Sequence, residues 1–152
     1  PHACCLVPEQ RHELTTEGGL DVQANAQSIA IAVAQLHAAG IEVSLFIDPV
    51  DEQITAAAQC GAKVIELHTG DFANAADELA AHNALARLEL AAQHALALGL
   101  QVNAGHGLHY HNVHKVARIP GLTELNIGHS IVCRAVFVGL AAAVREMKAL
   151  LT

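Results

Sequence analysis

The sequence predicts a parallel α/β fold, read as the later part of a (β/α)8 TIM barrel. Three observations predict it. Five short apolar segments are each trailed by a stretch with helical spacing, the alternation that βαβ units produce. Hydrophobic residues make up 53% of the 152 residues and aromatics only 3%, as expected for Ala/Val/Ile/Leu strands buried on both faces. The first apolar segment starts almost at Pro1, without a Met. Because a barrel typically takes ~250 residues, about three βα units are expected upstream. The 152 residues then form one domain carrying about the last five units.

The predicted strands are residues 3–7, 43–47, 63–68, 101–104 and 124–127. Ile29, Val33 and Leu36 mark a helix after the first strand, with Gly40 where a helix end favours a left-handed residue. Asp48-Pro49 and Asp51-Glu52 begin a helix after the second. Ala80, Ala84, Leu88, Ala91, Ala95 and Leu98 mark the helix before the fourth strand, closed by Gly99. Residues 72–77 lack a core-like pattern and are expected to be mobile. Residues 133–151 read as one terminal helix with Leu140, Val144, Met147 and Leu151 on one face. His37, His82 and His94 are expected on solvated helix positions.

The formal charge of -7, from 8 Lys+Arg against 15 Asp+Glu, argues against general nucleic-acid binding, which needs a basic footprint. No apolar run reaches the ~18–20 residues of a membrane span. No secretory signal opens the chain, and a cytoplasmic location is expected. Cys4, Cys5, Cys60 and Cys133 show no CxxC spacing and read as small hydrophobes in a reducing compartment. There is no GxGxxG after the first strand, no GxSxG and no Walker sequence, so dinucleotide, serine-hydrolase and NTPase chemistry have no support.

In parallel α/β folds the chemistry sits beyond the C-terminal ends of the strands. Here those ends are polar: Thr15-Thr16-Glu17 follows the first, Asp48 the second, Glu66 and His68 the third, Gly105-His106-Gly107 the fourth and Gly128-His129-Ser130 the fifth. Gly128-His129-Ser130 leads into a helix, where backbone N–H groups and the helix dipole bind phosphate; an ordinary βα turn is the competing reading. His106 stands between two glycines, and histidine is a residue type whose side chain suits proton transfer. Alternation puts Val64, Glu66 and His68 on one strand face. If that face is interior, burial raises the Glu66 pKa. His106, His109, His111 and His114 form an HxxHxHxxH cluster, but without the motif context of a zinc site.

These strand-end runs resemble the pyridoxine 5'-phosphate synthase family of the deoxyxylulose-dependent vitamin B6 pathway. The similar runs are Cys5-Leu6-Val7-Pro8-Glu9, Thr15-Thr16-Glu17-Gly18-Gly19-Leu20-Asp21-Val22, Val43-Ser44-Leu45-Phe46-Ile47-Asp48, Glu66-Leu67-His68-Thr69-Gly70, Val102-Asn103-Ala104-Gly105-His106-Gly107-Leu108 and Glu124-Leu125-Asn126-Ile127-Gly128-His129. They occur in family order, and the likeness begins near the fourth barrel strand. It implies condensation of 1-deoxy-D-xylulose 5-phosphate with 3-amino-2-oxopropyl phosphate, without metal or organic cofactor, in a homo-oligomer. It further implies His106 as proton donor, Glu66 as a carboxylate that stabilises transition-state charge, and Thr15, Gly107, Gly128 and His129 as substrate-binding positions. The family draws another His, a Glu base and further phosphate ligands from strands not in this sequence, so the isolated 152-residue chain is expected to be inactive and aggregation-prone. Two alternatives stand beside this: a metal-dependent aldolase or hydrolase barrel using the His cluster, and a non-catalytic truncated half-barrel.

Overall fold

A computed structural model describes residues 1–8 and 18–151. Its five strands are β1 (Ala3–Leu6), β2 (Glu42–Ile47), β3 (Val64–His68), β4 (Gln101–Gly105) and β5 (Leu122–Asn126). Between and after them run α1 (Ala26–Ala38), α2 (Asp51–Gln59), the short α3 (Gly70–Ala73), α4 (Glu78–Ala97), the short α5 (Val113–Val116), α6 (His129–Val138) and α7 (Leu140–Lys148). All five predicted strands are present, displaced at their ends by one to two residues.

The strands form one parallel sheet in the order β1-β2-β3-β4-β5. Each new strand is added on the same side of the last. Right-handed crossovers in a constant direction keep the helices on one face, whereas a reversal of direction would divide them between two. That face holds the core: Val43, Leu45, Ile47, Ile65, Leu67, Val102 and Ala104 pack with Ile29, Val33, Ile54, Leu88 and Ala91. Fully burying each large side chain among them contributes about 1.5–3 kcal/mol.

Helix α4 begins at Asp77, whose carboxylate accepts a hydrogen bond from the Ala80 amide at 2.8 Å. A side-chain N-cap of this kind contributes about 1 kcal/mol. Residues 70–73 form a helical turn with Phe72 buried, so the stretch expected to lack a core residue contributes one, a large side chain that anchors the short turn.

Two further expectations change. The terminal helix is two helices, α6 and α7, divided at Gly139 with φ 81° and ψ 150°. This conformation is almost restricted to glycine and interrupts the hydrogen-bond ladder. Of the expected apolar face, Met147 is buried, while Leu140, Val144 and Leu151 are exposed. His82 is exposed, but His37 and His94 are half-buried. The His94 ring lies 3.1 Å from the Thr55 hydroxyl, so α2 and α4 cover it. No described helix is long and apolar enough to cross a membrane.

Candidate active site

The sheet face opposite the helices carries a different chemistry. Parallel register pairs Cys5 with Ser44, Phe46 with Glu66, Glu66 with Asn103, and His68 with Gly105. Paired residues share a face, so this face carries Cys5, Ser44, Glu66, His68 and Asn103 together with Phe46. At the junction of β4 and β5 a register irregularity pairs Val102 with Leu122 but Asn103 with Glu124. The extra residue there lets Leu122 share the core-side face while Glu124 and Asn126 share the polar one.

Toward the C-terminal strand ends this face opens into a cavity of about 720 Å³. Its lining includes Glu66, Phe46, His106, Gly107, Asn126 and the start of α6 at Gly128-His129-Ser130. The structure therefore brings Glu66, His106, Gly107, Gly128 and His129 together around one space. Thr15 lies outside the described residues.

Glu66 is 8% exposed. Its Oε2 accepts a hydrogen bond from Asn126 Nδ2 at 2.8 Å, and the Cys5 thiol approaches the same oxygen at 3.7 Å. Burial pushes its pKa upward, the two donors pull it back, and the nearby Glu124 carboxylate adds to the rise. The net shift is upward, the direction in which a carboxyl group holds its proton more firmly. The same surroundings push the Cys5 thiol up to about 12, first by burial and next by the Glu66 charge. That thiol serves as a weak donor rather than a nucleophile.

Close approach requires a glycine behind this carboxylate. A Cβ on Gly105 would sit 2.3 Å from Glu66 Oε1 and 2.8 Å from the Asn126 carbonyl. The chain then turns sharply. His106 has φ 83°, the one described non-glycine residue with positive φ, and Gly107 follows at 73°. A non-glycine side chain there costs of order 1–3 kcal/mol and persists only where its surroundings enforce it. Thr69 supplies that enforcement: its amide and hydroxyl donate to the Gly105 carbonyl at 2.9 and 2.7 Å, and the hydroxyl also reaches the His106 carbonyl. The His106 ring packs against His68 at 5.0 Å and Phe46 at 6.3 Å between centroids.

At the far wall, Gly128 is the N-cap of the ten-residue α6. The Ser130 hydroxyl donates to the Leu108 carbonyl at 2.9 Å, tying this helix start to the loop after His106. His129 Nε2 lies 3.5 Å from Cys133 Sγ, one turn on. Free N–H groups at a helix start, with the dipole behind them, suit an anionic oxygen cluster.

Several residues in this geometry escaped the sequence reading as site members. Asp48 and His68 were visible as strand ends but not as a pair; their side chains meet at 2.9 Å. Asn126 and Cys5 gave no local signal, since their partner is about 60 residues away. The His cluster does not assemble: His109 and His111 rings are 5.9 Å apart, yet no three His, Cys, Asp or Glu side chains among the described residues converge as metal ligands.

Comparison with known proteins gives a consistent result. Residues 1–152 match the family model described as pyridoxal phosphate biosynthesis protein PdxJ. The chain is 60% identical over 151 residues to pyridoxine 5'-phosphate synthase of Magnetococcus marinus, which covers 99% of this chain and 62% of the relative. It is 59% identical to the enzyme of that name from Alcanivorax borkumensis, with the same coverage, and 56% identical to that of Coxiella burnetii, covering 63% of the relative. The chain thus spans less than two thirds of the length of these relatives. Among solved structures, a xylose isomerase domain protein from Planctomyces limnophilus superposes with a TM-score of 0.55 over 97% of this chain and 62% of that one. At 16% identity this likeness concerns the fold alone.

Proposed function

The chain belongs to the PdxJ family of pyridoxal phosphate biosynthesis proteins, and from that premise we propose that it forms the acid–base and phosphate-binding part of a pyridoxine 5'-phosphate synthase. The reaction joins 1-deoxy-D-xylulose 5-phosphate and 3-amino-2-oxopropyl phosphate into pyridoxine 5'-phosphate, releasing phosphate and water. The observation that carries the reading is the convergence of Glu66, His106 and the start of α6 on one cavity of about 720 Å³, a volume within the range of small-molecule sites.

Building an aromatic ring from an aminoketone and a hydroxyketone proceeds by carbonyl addition, enolisation and dehydration. Each step moves protons, and none requires an activated serine or cysteine. His106 acts as proton donor to departing oxygen, and its placement at a strained turn aims it into the cavity. Glu66, whose pKa burial shifts upward, is the carboxylate that stabilises the charge developing in the transition state. Gly128 and His129 hold a phosphate through the first amides of α6, and Gly107 lets backbone approach the same substrate. Thr15 is a further substrate-binding position. The scheme uses no metal and no organic cofactor.

The fold reading extends likewise. The unidirectional strand order supports these βα units as the later part of a (β/α)8 barrel, in one domain, within a cytoplasmic homo-oligomer. The remaining catalytic groups come from the part of the relatives that this chain does not cover.

The test is product formation from both substrates by the complete gene product. Parent enzyme is expected to form pyridoxine 5'-phosphate, and His106→Ala to lower kcat by about 10²–10⁴-fold, the range of general acid–base catalysis. Unaltered turnover in His106→Ala would remove that residue from the mechanism; no product from a folded parent would remove the reaction.

A further inference from the structure

Beside the cavity, and not among the residues that the family resemblance implies, lies a second array. His68 is 9% exposed at the end of β3. Its Nδ1 is 2.9 Å from Asp48 Oδ1, beyond the end of β2. The same carboxylate oxygen accepts the Gly19 amide at 3.1 Å. The two donors help hold Asp48 below the ordinary carboxylate range, His68 foremost. An ionised carboxylate can only accept, so the shared proton resides on His68 Nδ1. The opposite nitrogen, Nε2, lies so close to Gly70 that a Cβ there would approach within 2.5 Å. One edge of the ring is thus tied and the other fitted against backbone.

The ring so fixed touches His106. Phe46, His68 and His106 form a cluster with centroids 5.1, 5.0 and 6.3 Å apart and mutual inclinations near 60°. The residue after His68, Thr69, grips the backbone of Gly105 and His106. Side chain and backbone of one strand end therefore act on the same histidine.

We infer that Asp48 and His68 are positioning residues for His106: the carboxylate fixes the tautomer and orientation of the His68 ring, and that ring fixes the angle at which His106 enters the cavity. This rests on the acid–base role proposed above for His106. Neither residue need touch substrate. Their effect is on the geometry of proton delivery, where a small misplacement costs about a hundredfold in rate.

The experiment uses the complete gene product and both phosphorylated ketones. His68→Ala and Asp48→Ala are each compared with parent, alone and combined with His106→Ala. Each single variant is expected to lose about ten- to a hundredfold in kcat while KM stays within about twofold. Neither is expected to slow His106→Ala further, because a group acting only through His106 has nothing left to act on. Ring nitrogen NMR shifts supply a readout independent of turnover: His68 carries its proton on Nδ1 in parent and redistributes toward Nε2 in Asp48→Ala. If His68→Ala does not fold, His68→Gln keeps a donor toward Asp48 while lacking the ring, and the same loss of kcat is expected. The inference is overturned by parent-like kcat in the His68 variant, by a loss carried in KM, by further slowing of His106→Ala, or by an unaltered His68 tautomer in Asp48→Ala. An inactive but folded parent would refute the functional reading itself and this role with it.

Discussion

Replacing Gly105 by alanine tests how the carboxylate of this site is seated. The new methyl would lie 2.3 Å from Glu66 Oε1, 2.8 Å from the Asn126 carbonyl and 3.1 Å from Asn126 Cβ. Ordinary contacts between such atoms are about 3.5 Å or longer, so more than 1 Å must be recovered. The Asn126 carbonyl belongs to β5, and Gly105 is itself paired with Asn126 in the parallel ladder. Only the Glu66 side chain can yield, and it must swing away from Asn126 Nδ2, breaking a hydrogen bond of 2.8 Å. Overpacking costs about 1–3 kcal/mol, and loss of a hydrogen bond to a charged or partly charged group adds about 1.5–3 kcal/mol. A total of about 2.5–6 kcal/mol corresponds to a fall in melting temperature of about 5–24 °C, at about 2–4 °C per kcal/mol for a domain of this size. The assay is thermal unfolding followed by circular dichroism, with kcat measured on the complete gene product below the transition. Both melting temperature and kcat are expected to fall. A Gly105→Ala variant that melts with the parent and turns over normally would refute this account of Glu66.

Other perturbations probe the same structure. For Glu66 the folded pKa is raised, so the folded state binds the extra proton between the ordinary value of 4.5 and its own. Stability therefore declines as pH rises through that window, and Glu66→Gln is expected to melt above the parent at pH 8, with the gap closing as pH falls to about 4.5 in a melting series. Asp48 has the opposite sign, its folded pKa being lowered: its contribution is present above the ordinary value of 3.8 and is lost as pH falls through the folded one, so Asp48→Ala should destabilise at pH 7 and progressively less in acid. Met147→Ala removes the buried anchor of α7, 2% exposed, and should lower the urea unfolding free energy by about 2–5 kcal/mol. Gly139→Ala forces a Cβ into φ 81° with no neighbouring atom within 4 Å, so a destabilisation of about 1–3 kcal/mol would come from backbone strain alone.

Much of this architecture was legible in the amino-acid order. The βα period and the terminal polar residues at each strand are local patterns, written within ten or so consecutive positions, and all five strands follow them. Period-two alternation also placed Glu66 and His68 on one face before any partner was known. The division at Gly139 was missed because apolar spacing continues across it, while a positive φ is a property of backbone closure and leaves only a single glycine as its mark. His94 was misjudged because its cover comes from Thr55 on another helix.

What the sequence by itself determined was which side chains each strand presents to each face, since alternation is fixed by the covalent geometry of an extended chain. Tertiary structure decided which of those side chains meet. Asp48 finds His68 across 20 residues and Asn126 finds Glu66 across 60, distances over which no local spacing carries information. Parallel register brings them together: pairing Phe46 with Glu66 and His68 with Gly105 sets three strand ends at one level. The short turns beyond them then have few directions in which to place a histidine, a carboxylate and a helix start.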